Sequence, residues 1–214
     1  LPKDVFAKKD DRKVRLGFIG TGLRGRNHLA NAMAFPEVEV TCICDIDPNA
    51  IAKAQKILKD KGRKEAVAYG KNEKDFENMV KRDDIDGVII ATPWEWHVPM
   101  ALATMNAGKY AGLEVSATVK LQESWDLVNT FEKTGSHCML LENVCYRRDV
   151  MAVLNMVREN LFGEITHLEC GYEHDLRHVK FNDGKQAYGG GVEFGEKGFS
   201  EAKWRTQHSV DRNG

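Results

Sequence analysis

The sequence predicts an α/β fold: a doubly wound parallel sheet, followed by the start of a smaller α+β open sheet. Three observations predict it. Short apolar runs alternate with amphipathic helical stretches over roughly the first two thirds of the chain, the order of a parallel sheet with helical crossovers of the usual hand. The first run, Val14-Arg15-Leu16-Gly17-Phe18-Ile19, opens directly onto Gly20-Thr21-Gly22-Leu23-Arg24-Gly25, glycines spaced for a tight strand-to-helix turn. A later run, Gly87-Val88-Ile89-Ile90-Ala91, is continuously apolar, as a strand buried on both faces is.

The elements follow in order. After the glycines, Leu29, Ala30, Ala32, Met33 and Ala34 mark a helix. Val38 to Cys44 is the second strand and ends on Asp45. Asp47 and Pro48 read as N-cap and first helical residue of an amphipathic helix ending near Gly62. A short strand is expected over 66–69, then a helix over 72–82 with Phe76, Met79 and Val80 inward. The apolar strand over 86–91 breaks at Thr92-Pro93-Trp94-Glu95-Trp96-His97, with a helix expected over 97–107. Strands over 110–115 and 138–144 flank a helix over 122–133. These make a dinucleotide-binding unit of residues 1–145. In residues 146–214, a helix over 149–160 leads through Leu161-Phe162-Gly163 to a strand over 164–174, and 184–198 is a glycine-rich loop. The ending Asp211-Arg212-Asn213-Gly214 is polar and turn-like, and residues 146–214 are short for a whole domain, so the sequence is expected to be part of a longer protein.

Composition narrows the function. Lys and Arg number 31 against 32 Asp and Glu, and no basic block stands out, which argues against nucleic acid as a partner. No run approaches transmembrane length, and residues 1–13 are charged, without a signal-peptide core. The 5 cysteines, Cys42, Cys44, Cys138, Cys145 and Cys170, form no Cys-x-x-Cys pair and read as apolar strand residues.

Ligands on such sheets bind at the carboxyl ends of the strands. Gly20 permits the turn, Gly22 lets a pyrophosphate approach, and Gly25 lets the helix pack on the strand. Leu23 and Arg24 lie at that turn, Arg24 either on phosphate or in solvent. Asp45 stands where a carboxylate binds the adenosine ribose, and without a following arginine it favours NAD over NADP. A methyltransferase also ends its second strand on an acid, but it carries another acid before the glycines, where Phe18-Ile19 stand. Trp94 and His97 stand beside the cofactor, or Trp94 and Trp96 cap the core. Glu114 and Val115 end the fifth strand and Asn143 the sixth; Glu114 and Asn143 serve the nicotinamide ribose or cap a helix. Glu142 is an acid/base partner or a structural carboxylate. Period two puts Tyr172 and His174 on one face of their strand, a proton-transfer pair or a buried hydrogen-bonded pair, and sets His167 and Glu169 on the other, so no shared metal is expected.

These motifs resemble the Gfo/Idh/MocA group of sugar-handling NAD(P) oxidoreductases. The likeness is carried by the glycine loop ending in His28, by Thr92-Pro93-x-x-x-His97-x-Pro99, and by Asn106-Ala107-Gly108-Lys109. That group commonly carries Glu-Lys-Pro after the fifth strand, its lysine at the reacting carbon; this chain has Glu114-Val115-Ser116. The change is similar to the NAD-dependent α-N-acetylgalactosaminidases of glycoside hydrolase family 109. So are Glu142-Asn143-Val144-Cys145-Tyr146, the segment from Gly171 through Tyr172, His174 and Arg177, and Lys203-Trp204-Arg205.

The resemblance implies a small carbohydrate substrate, NAD as cofactor, and a homo-oligomer in the periplasm or cell envelope, with the cytoplasm as the alternative. It also implies a cofactor role for Val115, Trp204 and Arg205, and proton transfers for Tyr172 and His174. The implied reaction oxidises sugar C3, removes the C2 proton, eliminates the group at C1, adds water and returns the hydride, outside the two-carboxylate scheme. The alternatives are an NAD-dependent sugar dehydrogenase or aldose–aldose oxidoreductase, which the missing lysine weakens, and a non-catalytic NAD-binding scaffold.

Overall fold

A computed structural model describes residues 12–171 and 173. The chain divides into two units, after Leu140.

The first unit is a six-stranded sheet in the order β3-β2-β1-β4-β5-β6, every neighbouring pair parallel. Its strands are β1 (Val14–Ile19), β2 (Val38–Cys44), β3 (Val67–Tyr69), β4 (Gly87–Ile90), β5 (Tyr110–Leu113) and β6 (Cys138–Leu140). Its helices are α1 (Leu23–Ala32), α2 (Pro48–Asp60), α3 (Phe76–Met79), α4 (Trp94–Asn106) and α5 (Leu121–Thr134). This is the doubly wound architecture the sequence predicts.

Two apolar layers hold it. Phe18, Val40 and Ile43 meet Leu29 of α1, Met33 at its C-cap, and Ala54 and Leu58 of α2 on one face. Ile19, Cys42, Cys44, Val88 and Ile90 meet Phe76, Met79, Met100, Ala101 and Met105 on the other. Val40 and Ile43 share a face although they are three residues apart. The cause is a register slip: Leu16 pairs with Val40 and Gly17 with Cys42, which leaves Thr41 as an extra residue and reverses the alternation. Burial pushes the Cys42 thiol up to about 11 and Cys44 up to about 12, so both behave as small apolar core residues. Cys145 and Cys170 do not fit the strand expectation: both are exposed and lie outside strands.

Several boundaries move for local reasons. The α2 start is as predicted, with the Asp47 side chain accepting from the Asn49 N–H at 2.8 Å and Pro48 opening the helix. α3 is one turn long rather than the span 72–82. The Asp75 carboxylate accepts from the N–H groups of Gly70 and Lys71, and Asn72 accepts from Lys74, so these side chains hold the backbone in turns until Phe76. α4 begins at Trp94, not His97, with Pro93 at its N-cap and Pro99 inside the helix. β6 stops at Leu140 rather than 144, where Glu142 folds back on the backbone that follows it.

The second unit opens with a turn and then α6 (Arg148–Arg158), followed by Asn160 and Gly163 at φ 56° and 66°. The strand expected over 164–174 is not found where the residues are described: 164–171 are exposed and outside regular structure. A strand needs ladder partners, and no described strand pairs with this segment. The rest of the expected strand and the loop over 184–198 lie outside the described residues.

Candidate cofactor site at the strand ends

The winding of the sheet reverses between β1 and β4, and the crevice lies at their carboxyl ends. Gly20 takes φ 81° to leave β1, and a Cβ there would lie 2.6 Å from the Ala91 carbonyl oxygen. A Cβ on Gly25 would fall on the Gly20 carbonyl, so only glycine lets α1 start this close to its own strand. Gly22 is different: a Cβ there meets nothing within 4 Å. The open space lies at the N-cap of α1, which has no side-chain cap and no acid in its first turn. An anion fits such a helix start, where unpaired N–H groups and the helix dipole both favour negative charge. Leu23 is the first residue of α1.

On the β2 side, the Asp45 carboxylate accepts from the Thr21 N–H at 2.6 Å, the Thr21 hydroxyl at 3.2 Å and the Asp47 N–H at 2.9 Å. It is half-buried beside the turn. The donor set therefore fits a dinucleotide: an open glycine, an uncapped helix start and an acid at the next strand end.

On the β5 side, Glu114 is 8% exposed. Its Oε1 accepts from Arg24 Nε at 2.6 Å and from His28 Nε2 at 2.6 Å, and its Oε2 accepts from the Val115 N–H at 3.1 Å. Burial by itself raises a carboxyl's pKa, but the His28 and Arg24 hydrogen bonds outweigh it and hold Glu114 down at about 2. Arg24, which the sequence leaves between phosphate and solvent, thus has a protein partner. His28 is the residue that residue-level reading misses. Its signal is position: Arg24 and His28 are four apart on α1 and share a face.

Trp94 donates from Nε1 to the exposed Val115's carbonyl at 3.2 Å. Trp96 caps the core instead, edge-on to Phe76 at 6.2 Å. His97 is 1% exposed, with Nδ1 2.7 Å from the Ser116 carbonyl and Nε2 2.8 Å from the Thr92 carbonyl. It ties the β4 turn to the β5 turn from within and does not face the crevice. The Val115–Ser116 peptide is cis.

In the second unit, Glu142 accepts from the N–H groups of Asn143 at 2.8 Å and Val144 at 3.3 Å, a local cap, and Asn143 is exposed. Tyr172, His174, Trp204 and Arg205 lie outside the described residues. Among the described residues, no group of three His, Cys, Asp or Glu is arranged to hold a metal, and no helix is long and apolar enough to cross a membrane.

Sheet order, glycine turn and Asp45 together define a nicotinamide-dinucleotide-binding domain of the oxidoreductase type. Residues 14–141 match the Gfo/Idh/MocA profile, described as an oxidoreductase family with an NAD-binding Rossmann fold, and the chain belongs to that family. Residues 146–214 match the C-terminal domain of glycosyl hydrolase 109.

A glycosyl hydrolase family 109 protein of Parabacteroides distasonis is 53% identical over 99% of this chain and 47% of its own length. An alpha-N-acetylgalactosaminidase of Tannerella forsythia is 52% identical over 97% of this chain and 45% of its own. The chain spans about half the length of the curated relatives it matches.

Among solved structures, scyllo-inositol dehydrogenase from Lactobacillus casei with bound NAD(H) and scyllo-inositol superposes with a TM-score of 0.62 at 21% identity. It covers 72% of this chain and 44% of that one. The WlbA dehydrogenase from Bordetella pertussis in complex with NADH and UDP-GlcNAcA gives 0.61 at 22%, covering 72% and 44%. At these identities the likeness is one of fold.

Proposed function

We propose that the protein to which this chain belongs is an NAD-dependent glycoside hydrolase acting on α-N-acetylgalactosaminides or related sugars. The observation that carries it is Val115. It stands at the exposed end of β5, where the Gfo/Idh/MocA resemblance implies a lysine, and its side chain moves no proton. The match of residues 146–214 to the glycosyl hydrolase 109 C-terminal domain and the named relative from Tannerella forsythia support the same reading.

The division of labour runs from the residues. Gly20, Gly22, Leu23 and Gly25 receive the pyrophosphate on the α1 N-terminus, and Asp45 takes the adenosine ribose. Glu114, Val115 and Trp94 shape the nicotinamide side of the crevice, with Arg24 between Glu114 and the pyrophosphate and His97 holding the turn from below. NAD, when bound, supplies a reversible hydride acceptor for the sugar C3. Tyr172 and His174 carry the proton transfers at C2 and at the C3 hydroxyl, and Glu142, Asn143, Trp204 and Arg205 complete the site. Residues 1–145 form the cofactor domain and residues 146–214 open the substrate domain. The substrate is a carbohydrate, nucleic acid is not a partner, and the protein works as a homo-oligomer.

The test is the full-length protein with an aryl α-N-acetylgalactosaminide in deuterated water. Aryl release without net NADH, with deuterium at C2 of the product, is expected. Stoichiometric NADH without aryl release moves the assignment to a sugar dehydrogenase.

A further inference from the structure

The helix that receives the pyrophosphate is also tied to the far strand end, through residues that no motif joins. Arg24 and His28 lie on one face of α1, and both reach the same oxygen of Glu114, 90 and 86 residues away in sequence. The other oxygen takes the Val115 N–H. The Glu114 N–H itself donates to the Ile90 carbonyl at 3.0 Å. From the α4 side, Trp94 holds the Val115 carbonyl and His97 the Ser116 carbonyl. The 114–116 turn is thus clamped between two helices, and Glu114 is its whole attachment to α1 among the bonds described.

The two donors are not equivalent. The Arg24 side chain is 43% exposed and lies in the first turn of α1, where a cation opposes the helix dipole. An arriving pyrophosphate competes with Glu114 for it. The His28 side chain is 20% exposed and lies one turn deeper, away from that competition. Its bond requires only that Nε2 carry the hydrogen.

We propose that His28 is a positioning residue: it holds Glu114, and through it the Val115–Ser116 turn, in place for the nicotinamide half of the cofactor. The proposal rests on the dinucleotide reading above. Sheet order assigns the halves, since Asp45 lies on the β2 side of the glycine turn and Glu114 on the β5 side. Loss of His28 therefore weakens binding of the nicotinamide half and spares the adenosine half.

The experiment measures dissociation constants of NAD and of ADP, which lacks the nicotinamide half, by calorimetry on the full-length protein. The variants are His28→Leu, which keeps bulk and loses the donor, and His28→Gln, which keeps a donor. His28→Leu is expected to weaken NAD about tenfold or more, the scale of one lost hydrogen bond to a charged group, and to leave ADP within about twofold. His28→Gln is expected to stay near wild type. If His28→Leu does not fold, His28→Met, which also lacks a donor, carries the test, with the same loss of NAD and the same sparing of ADP. A packing role predicts the reverse order, Leu tolerated better than Gln, and equal losses of NAD and ADP; either result overturns the proposal. Wild-type protein that binds neither ligand overturns the dinucleotide reading, and this proposal with it. Wild-type binding with an unresponsive His28→Leu overturns the positioning role alone.

Discussion

The Thr21 N–H donates to the Asp45 carboxylate at 2.6 Å, so the glycine turn and the end of β2 are one hydrogen-bonded unit before any ligand arrives. Asp45→Ala removes both this tie and the proposed ribose acceptor. It is expected to weaken NAD about tenfold or more, the scale of a lost charged hydrogen bond. The wild type is expected to prefer NAD to NADP, since a carboxylate repels a 2′-phosphate. Titration calorimetry with both cofactors checks it.

Gly22 and Gly25 are predicted to fail in opposite ways. Gly25→Ala drives a methyl group onto the Gly20 carbonyl and should cost about 1–3 kcal/mol of stability, read by urea unfolding. Gly22→Ala meets no protein atom, so its unfolding midpoint should hardly move. Its methyl group fills the open space of the crevice, and NAD affinity should fall.

Acid stability should depend on Glu114. Its pKa drops from 4.5 unfolded to about 2 folded, so its contribution is whole above about pH 4.5 and is lost as pH falls toward about 2. Glu114→Gln is expected to lower the melting temperature at neutral pH and to flatten the stability curve between pH 4.5 and 2. Asp86, held down by its hydrogen bonds to Arg15, and Asp84, held down by Arg82, act in the same direction. Some acid sensitivity therefore remains, and the difference between the two curves is the measurement.

His97→Ala removes the imidazole set between the Thr92 and Ser116 carbonyls and opens a hole in the core. A loss of about 2–4 kcal/mol is expected in thermal unfolding, from a lost hydrogen bond and lost packing together. NAD binding should weaken only through the displaced turn. An unchanged melting temperature would contradict the strap described for His97.

Tyr172→Phe and His174→Ala should each slow aryl release about 10²-fold or more, the scale of a lost general acid or base. Cofactor affinity should stay unchanged in both. Stopped assays of aryl release beside NAD titrations separate the two effects. Wild-type rates in both variants would remove the pair from the proposed chemistry.

Much of the fold is legible because it is written locally. A six-residue apolar strand, a glycine with φ 81° and an Asp-Pro helix start each depend on neighbours a few residues away. The glycine turn and the acid at the end of β2 are legible for the same reason. Boundaries are less so: the helix expected from His97 starts at Trp94, directly after Pro93. The strand expected over 164–174 is missing from its described part because a strand is stabilised by partners, and none of the described strands is one.

The sequence by itself determined the α/β class, the order of elements, the glycine turn and the acid at the second strand end, because periodicity and turn chemistry act over a few residues. Only the tertiary structure decided that Arg24 and His28 meet Glu114, that His97 is an internal strap, and that Trp94 and Trp96, two residues apart, serve different ends. Those outcomes depend on which strands lie side by side, and nothing near Arg24 or His28 in the chain names a partner 90 or 86 residues away.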